Sequence, residues 1–233
     1  MIKDGFLGLM AALGLATVAC PPFATAQEIQ DGVASQGEMS DENFYRSIAC
    51  GAQPGKECTT AFVRWKYSAV TYALLPHAPA FPPDLARKIS AQIDIALAEI
   101  NRHKPGITLQ RADHLGVGAD VLISLPDLVE GEKTKGLPHF ADNQTVGVGL
   151  NEISWDGGNS LYQAGILFTK DLTELDMPSV VLEEIFQSLG FPYDIENPYY
   201  IDRSILSQDS NDTVHIEGQD KTALLRHYPR KTP

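Results

Sequence analysis

The stretch "VVLEEIFQSLGFPYD", residues 180–194, decides how the rest of the chain is read. Val181, Leu182, Ile185, Phe186 and Leu189 recur at helical spacing and form one apolar stripe. Glu183 and Gln187 are four apart and share a face, while Glu184 lies one position, about 100°, further round. Asp176 is placed to cap the start, with Pro178 in the first turn, where a missing N–H is tolerated. Gly190 follows Leu189 and marks the stop, because helices commonly end on a left-handed residue. The spacing predicts a helix from 177 to 189 with two acids and an amide beside its apolar stripe. Tyr193 and Asp194 come directly after the turn.

Working outward, "FVRWKYSAVTYALLP" (62–76) alternates aromatic and β-branched residues with polar ones and predicts a strand. In "FPPDLARKISAQIDIALAEINRHKPG" (81–106), Leu85, Ile89, Ile93, Leu97 and Ile100 form a helical stripe, opened by two prolines and closed by Pro105-Gly106. Residues 107–112, 119–127 and 162–170 read as strands, and 145–153 as an edge strand. Polar residues 129–144 are broken by Gly and Pro and read as a long loop, and "WDGGNS" (155–160) as a turn. "FPYDIENPYY" (191–200) has no period and is expected to be irregular. A last helix, "KTALLRHY" (221–228), ends at Pro229. This order predicts an α+β fold, a mixed sheet with one long helix packed on it.

The N-terminus carries Lys3, an apolar run from Phe6 to Ala19, and "ATA" before Gln27. That pattern predicts a signal peptide over residues 1–26, and so export to the periplasm or medium. A lipoprotein anchored through Cys20 is the alternative. Residues 27–43 are polar and acidic and are expected to be flexible. They join a disulfide loop in a leader over 27–61, ahead of one domain over 62–233. With Cys20 removed, Cys50 and Cys58 remain, and in an oxidising compartment an isolated pair is expected to bridge. The formal net charge is −12, which argues against nucleic acid and anionic membrane surfaces as partners. After the signal, no segment is apolar enough to span a bilayer.

His77, His103, His114, His139, His215 and His227 are scattered, with no pair at local ligand spacing. There is no G-x-S-x-G elbow and no phosphate-binding glycine loop. Tyr193, Tyr199 and Tyr200 cluster after the 177–189 helix, as a groove wall or the cap of a core edge.

"EEIFQSLG" (183–190) resembles the H-E-x-x-H-x-x-G helix of zincin peptidases with both histidines replaced. Glu183 and Gln187 stand at the two ligand positions, Glu184 at the general-base position and Gly190 at the turning glycine. "RSIL" (203–206) resembles the Met-turn of metzincins, with Ser204 inside it and Leu206 where the methionine stands. "DKTALLRHYPR" (220–230) is similar to the helix that follows that turn. More narrowly, the chain resembles a family of exported bacterial proteins that share a zincin-like domain of unknown function and carry an E-E-x-x-Q-x-L-G helix. The likeness is close over the last third and loose elsewhere. It implies a zincin-like fold over 62–233, with Gly190, Ser204 and Leu206 as structural positions.

Ligand chemistry sets what such a site can do. A catalytic zinc takes three protein ligands, usually with imidazoles among them, and keeps one position open. Glu183, Gln187 and Asp194 form an all-oxygen set, better matched to calcium or magnesium than to zinc. No cofactor is expected, and Glu184 is a vestigial general-base position. The resemblance therefore implies a degenerate metallopeptidase, a pseudoenzyme that binds a peptide or protein in the old substrate groove, with 145–153 as the groove's edge strand. The alternative is an atypical metallohydrolase built on Glu183, Asp194 and a histidine from elsewhere, with His139 or His215 as the donors.

Overall fold

The computed structural model describes residues 32–112, 118–208 and 212–230. The signal segment, Cys20 and His114 lie outside the described residues. Two helices set the frame. One spans Pro83–Arg102 with proline in its first turn, and it buries Ile89, Ile93, Ala96, Leu97 and Ile100. The other spans Met177–Gln187 and buries Val181, Leu182, Ile185 and Phe186, with Leu189 buried just beyond it. Both follow the periods read from the sequence.

In chain order the elements are β1 (Gly32–Ala34), α1 (Asp41–Cys50), β2 (Ala69–Leu74), α2 (Pro83–Arg102), β3 (Thr108–Arg111) and β4 (Val121–Ser124). They continue with β5 (Gly149–Trp155), β6 (Leu161–Phe168), α3 (Met177–Gln187), β7 (Asp194–Glu196), a 3₁₀ turn (Pro198–Tyr200) and α4 (Gly218–His227). The main sheet has the order β3-β2-β4-β6-β5. Its first four strands are parallel, and β5 runs antiparallel to β6 at the edge. Helix α3 packs against α2 and beside β5. The fold is α+β with a mixed sheet, as the sequence predicts, and one hydrophobic cluster runs from Met39 to Tyr228.

Three expectations are corrected. Residues 32–43, expected to be flexible, are built into the fold, and 44–50, expected as the start of a disulfide loop, are helical. Strand β1 pairs in parallel with β7, and α1 buries Phe44, Ile48 and Ala49 in the core. Helix α1 is well delimited: the Ser40 hydroxyl accepts from Asn43 N–H, Asp41 and Glu42 face the positive end of the helix dipole, and Gly51 closes it at φ 69°. The strand expected over 62–76 is shorter, because Trp65 turns inward. Its indole N–H donates to Ser188 O and its backbone N–H to the Tyr228 hydroxyl, and Arg64 meets the sheet through an isolated bridge to Ser160. Finally, "FPYDIENPYY" contains β7 and the 3₁₀ turn, the latter capped by the Asn197 side chain.

Cys50 and Cys58 form a disulfide with Cα atoms 5.2 Å apart. The Cys50 carbonyl also accepts from Thr59 and Thr60 N–H, so the bridge and the backbone close the same loop. Replacing both cysteines by serine is expected to lower stability by about 2–3 kcal/mol, the loop-closure entropy for so short a loop, read as a shift in the urea midpoint. An unchanged midpoint would mean that the backbone bonds alone hold the loop. Among the described residues, no helix is long and apolar enough to cross a membrane.

Candidate functional site

The site is the junction of α3 with the edge strand β5. Which groups of β5 face outward follows from the sheet register. Thr169 N–H donates to Val148 O, and Gly149 to Ile153 pair in order with Phe168 to Ala164. In an antiparallel pair, hydrogen-bonded and non-hydrogen-bonded positions alternate. Leu150 and Glu152 therefore bond to β6, while the N–H and C=O groups of Gly149, Asn151 and Ile153 point away from it. Ala164 N–H donates to Asp120 O on the β4 side, which fixes the same phase from the other edge of β6. Among the described residues, no strand lies beyond β5 in the sheet.

Side chains alternate as well. Those of Asn151 and Ile153, with the bare Gly149, face α3. Asn151 Nδ2 donates to Glu184 O at 3.1 Å. A methyl on Gly149 would run into the Glu184 carboxylate, so the glycine is what lets this side chain lie under the strand. Glu184 is 7% exposed, while its neighbour Glu183 is only half-buried. The two adjacent acids thus diverge, as a helix requires, and do not converge on one point. On the other face of β5, Glu152 accepts from Ala141 N–H.

Two of the positions matching a metal set, Gln187 and Asp194, are bonded to each other. Gln187 Nε2 donates to Asp194 Oδ1 at 2.8 Å. Tyr193 is buried, and its hydroxyl donates to Thr60 Oγ1. Its ring lies against Gly51, where a Cβ would clash, and burial raises its phenol. The expected histidine donors lie elsewhere. His139 Nδ1 contacts Ala164 O, beside Phe140 over Gly165, on the sheet face away from α3. His215 lies beside Glu99 on α2. Among the described residues, no group of three or more His, Cys, Asp or Glu is placed to hold a metal ion. The amide of Gln187, turned to Asp194, does not fit a zinc ligand.

Gly190 turns the chain at φ 100°, and an added Cβ there would collide with Val63 O. Asp176 does not cap α3. Its carboxylate accepts from the Thr173 hydroxyl instead, and its backbone is already helical.

A buried polar frame joins α4 to the turn that precedes it. The Ser204 hydroxyl donates to Asp220 Oδ1, Ile205 N–H donates to Asp220 Oδ2, and Ser204 Oγ accepts from Leu206 N–H. Leu206 is fully buried, and its carbonyl accepts from Ile195 N–H on β7. "RSIL" is thus a braced turn, and Asp220 is the brace. Burial pushes the Asp220 carboxyl up to about 7, against the opposing pull of the Ile205 and Ser204 hydrogen bonds. His227 is also buried. Val63 O can only accept, so His227 Nε2 carries the proton, and Nδ1 accepts from the Tyr45 hydroxyl. Burial holds this imidazole down to about 4. Neither residue stands out by local motif. Both fall on the inward stripe of α4 with Ala223 and Leu224, and a carboxylate and an imidazole on an apolar stripe is the signal they leave.

Tyr200 accepts from Met39 N–H and donates to Gln219, and Arg203 stacks on Tyr199. These tyrosines cap a core edge. No family model matches the chain, and no curated protein matches it.

Proposed function

We propose that the chain is an exported, non-catalytic protein on a zincin-like scaffold, and that its groove between β5 and α3 binds an extended peptide or protein segment by strand addition. One observation carries this reading. β5 is an antiparallel edge strand lying directly over the helix that bears the degenerate motif, with three successive peptide groups, at Gly149, Asn151 and Ile153, turned outward. Such an edge forms main-chain hydrogen bonds to an added strand without needing any particular side chain. β5 contains no proline and no lysine, two of the devices that keep an edge from pairing, and its bulge lies at Ser154–Trp155, past these three groups. The four parallel strands, the long α2 and the braced "RSIL" turn support the zincin-like reading. The disulfide supports export.

Amide hydrogen exchange tests strand addition residue by residue. With a bound strand, exchange at Gly149, Asn151 and Ile153 is expected to slow at least tenfold (~1.4 kcal/mol of added protection), while Leu150 and Glu152, already bonded to β6, change little. Slowing spread evenly along β5, or absent from it in the presence of a bound ligand, would refute the reading.

A further inference from the structure

We infer that the Cys50–Cys58 bridge is a thiol-operated strap: opened at the Cys58 sulfur, it lets go of Tyr193, in the turn between α3 and β7. Tyr193 is gripped by both ends of the disulfide loop. At the first end its ring lies against Gly51, where an added Cβ would stand 2.6 Å from Tyr193 Cζ. At the far end its hydroxyl donates to Thr60 Oγ1 at 3.2 Å. Its N–H donates to Ile48 O in α1, two residues before Cys50. The grip needs residues 51 and 60 to stay together, and the disulfide is the covalent tie between them. Without it, the loop keeps the Thr59 and Thr60 N–H bonds to Cys50 O and the Thr59 hydroxyl bond to Gly51 O. Hydrogen bonds of an exposed loop open locally at little cost. Tyr193 leads directly into Asp194, which accepts from Gln187 and begins β7, so the strap reaches the end of α3 through one side chain.

The two sulfurs are not equivalent. Cys50 is the last residue of α1 and is fully buried. Cys58 is half-buried and follows residues 53–57, which are all exposed. An outside thiolate therefore reaches Cys58 first. Arg46 Nη2 lies 4.0 Å from Cys58 Sγ, and a guanidinium there draws an attacking thiolate and favours Cys58 as a thiolate. The reductant is a small thiol. Its thiolate bonds to the Cys58 sulfur, the Cys50–Cys58 bond breaks, and Cys50 leaves as a thiolate that takes a proton. A second thiolate then attacks the outer sulfur of the mixed disulfide and releases Cys58. In sum, a pair of thiols is oxidised to a disulfide, and the bridge takes up the two electrons and two protons.

The test treats the folded, bridged protein with dithiothreitol, counts free thiols by alkylation and mass, and follows amide exchange at increasing urea below the unfolding transition. In the reduced protein Thr59, Thr60 and Tyr193 are expected to exchange at least about tenfold faster than Ile89 and Ile93 of α2, at rates that urea hardly changes, the mark of local opening. Ile89 and Ile93 are expected to keep the urea dependence of global unfolding. The double variant Cys50→Ser, Cys58→Ser is expected to show the same pattern without reductant. With glutathione, stopped early by alkylation, the mixed disulfide is expected on Cys58. A reduced, folded chain whose Tyr193 amide still exchanges with α2 and with the same urea dependence would overturn the strap, leaving a bridge that closes only its own loop. A bridge that resists excess thiol until the chain unfolds would overturn thiol operation. A mixed disulfide on Cys50 would overturn the assigned point of attack.

Discussion

Replacing Asp220 by asparagine is expected to make the protein acid-labile, with a loss of about 2 kcal/mol in unfolding free energy between pH 6.5 and 4.5 that the unaltered protein does not show. Two buried groups with opposite linkage produce this. Asp220 has its folded pKa raised from 3.8 to about 7. Its contribution is fully present below pH 3.8 and is lost as pH rises through 7. His227 has its folded pKa depressed from 6.5 to about 4. Its contribution is fully present above pH 6.5 and is lost as pH falls through 4. Between 4.5 and 6.5 the folded chain keeps one extra proton on Asp220 and lacks one on His227, so the two slopes cancel. Asparagine removes one slope and leaves the other. It is the right size, its carbonyl can accept from Ile205 N–H, and the Ser204 hydroxyl can rotate to accept its amide. Urea unfolding at the two pH values, followed by tryptophan fluorescence, measures the difference. His227→Gln is expected to tilt the other way and lose stability as pH rises through the same window. Equal stability of Asp220→Asn at both pH values would contradict the burial argument.

Gly190→Ala is expected to be the most damaging conservative change near α3, at roughly 3 kcal/mol or more. Two terms add. A left-handed backbone costs a residue with a Cβ about 1–2 kcal/mol. The new methyl also meets Val63 O, which cannot retreat freely because His227 Nε2–H donates to it at 2.9 Å. Moving Val63 strains the His227–Tyr45 link and the neighbouring Trp65, whose indole holds Ser188 O. A broken hydrogen bond to a buried group costs about 1–3 kcal/mol more. The urea midpoint reports the sum. A loss below about 1 kcal/mol would mean that the turn relaxes without disturbing the frame.

The parts of this fold legible in the sequence are those with a long, clean period. Helix α2 repeats its apolar stripe for about four turns, and α3 does so between a proline and a glycine, so both were readable with their ends. Strand β5 was readable as an edge, displaced by a few residues, because half-buried alternation survives in "GLNEISW". Elements held by tertiary contacts alone were not. β7 is three residues with one buried side chain, Ile195, and becomes a strand only because β1 pairs with it. α1 hides Phe44 and Ile48 among acids and amides that look like a solvated leader. At the site, the helical positions of Glu184 and Gln187, and that of Gly190 just past the helix, followed from helix geometry. The Gln187–Asp194 bond, the Glu184–Gly149 contact and the placement of His139 on the far face depend on how separate elements meet, and no local pattern encodes that.

In the proposed reading, α3 shapes a groove beside β5 and holds no metal. Metal content of the protein, purified without chelators or tag histidines, tests it most directly. Far less than one metal per chain is expected, unchanged by Glu183→Ala. One tightly held metal per chain, lost with Glu183→Ala, would contradict it.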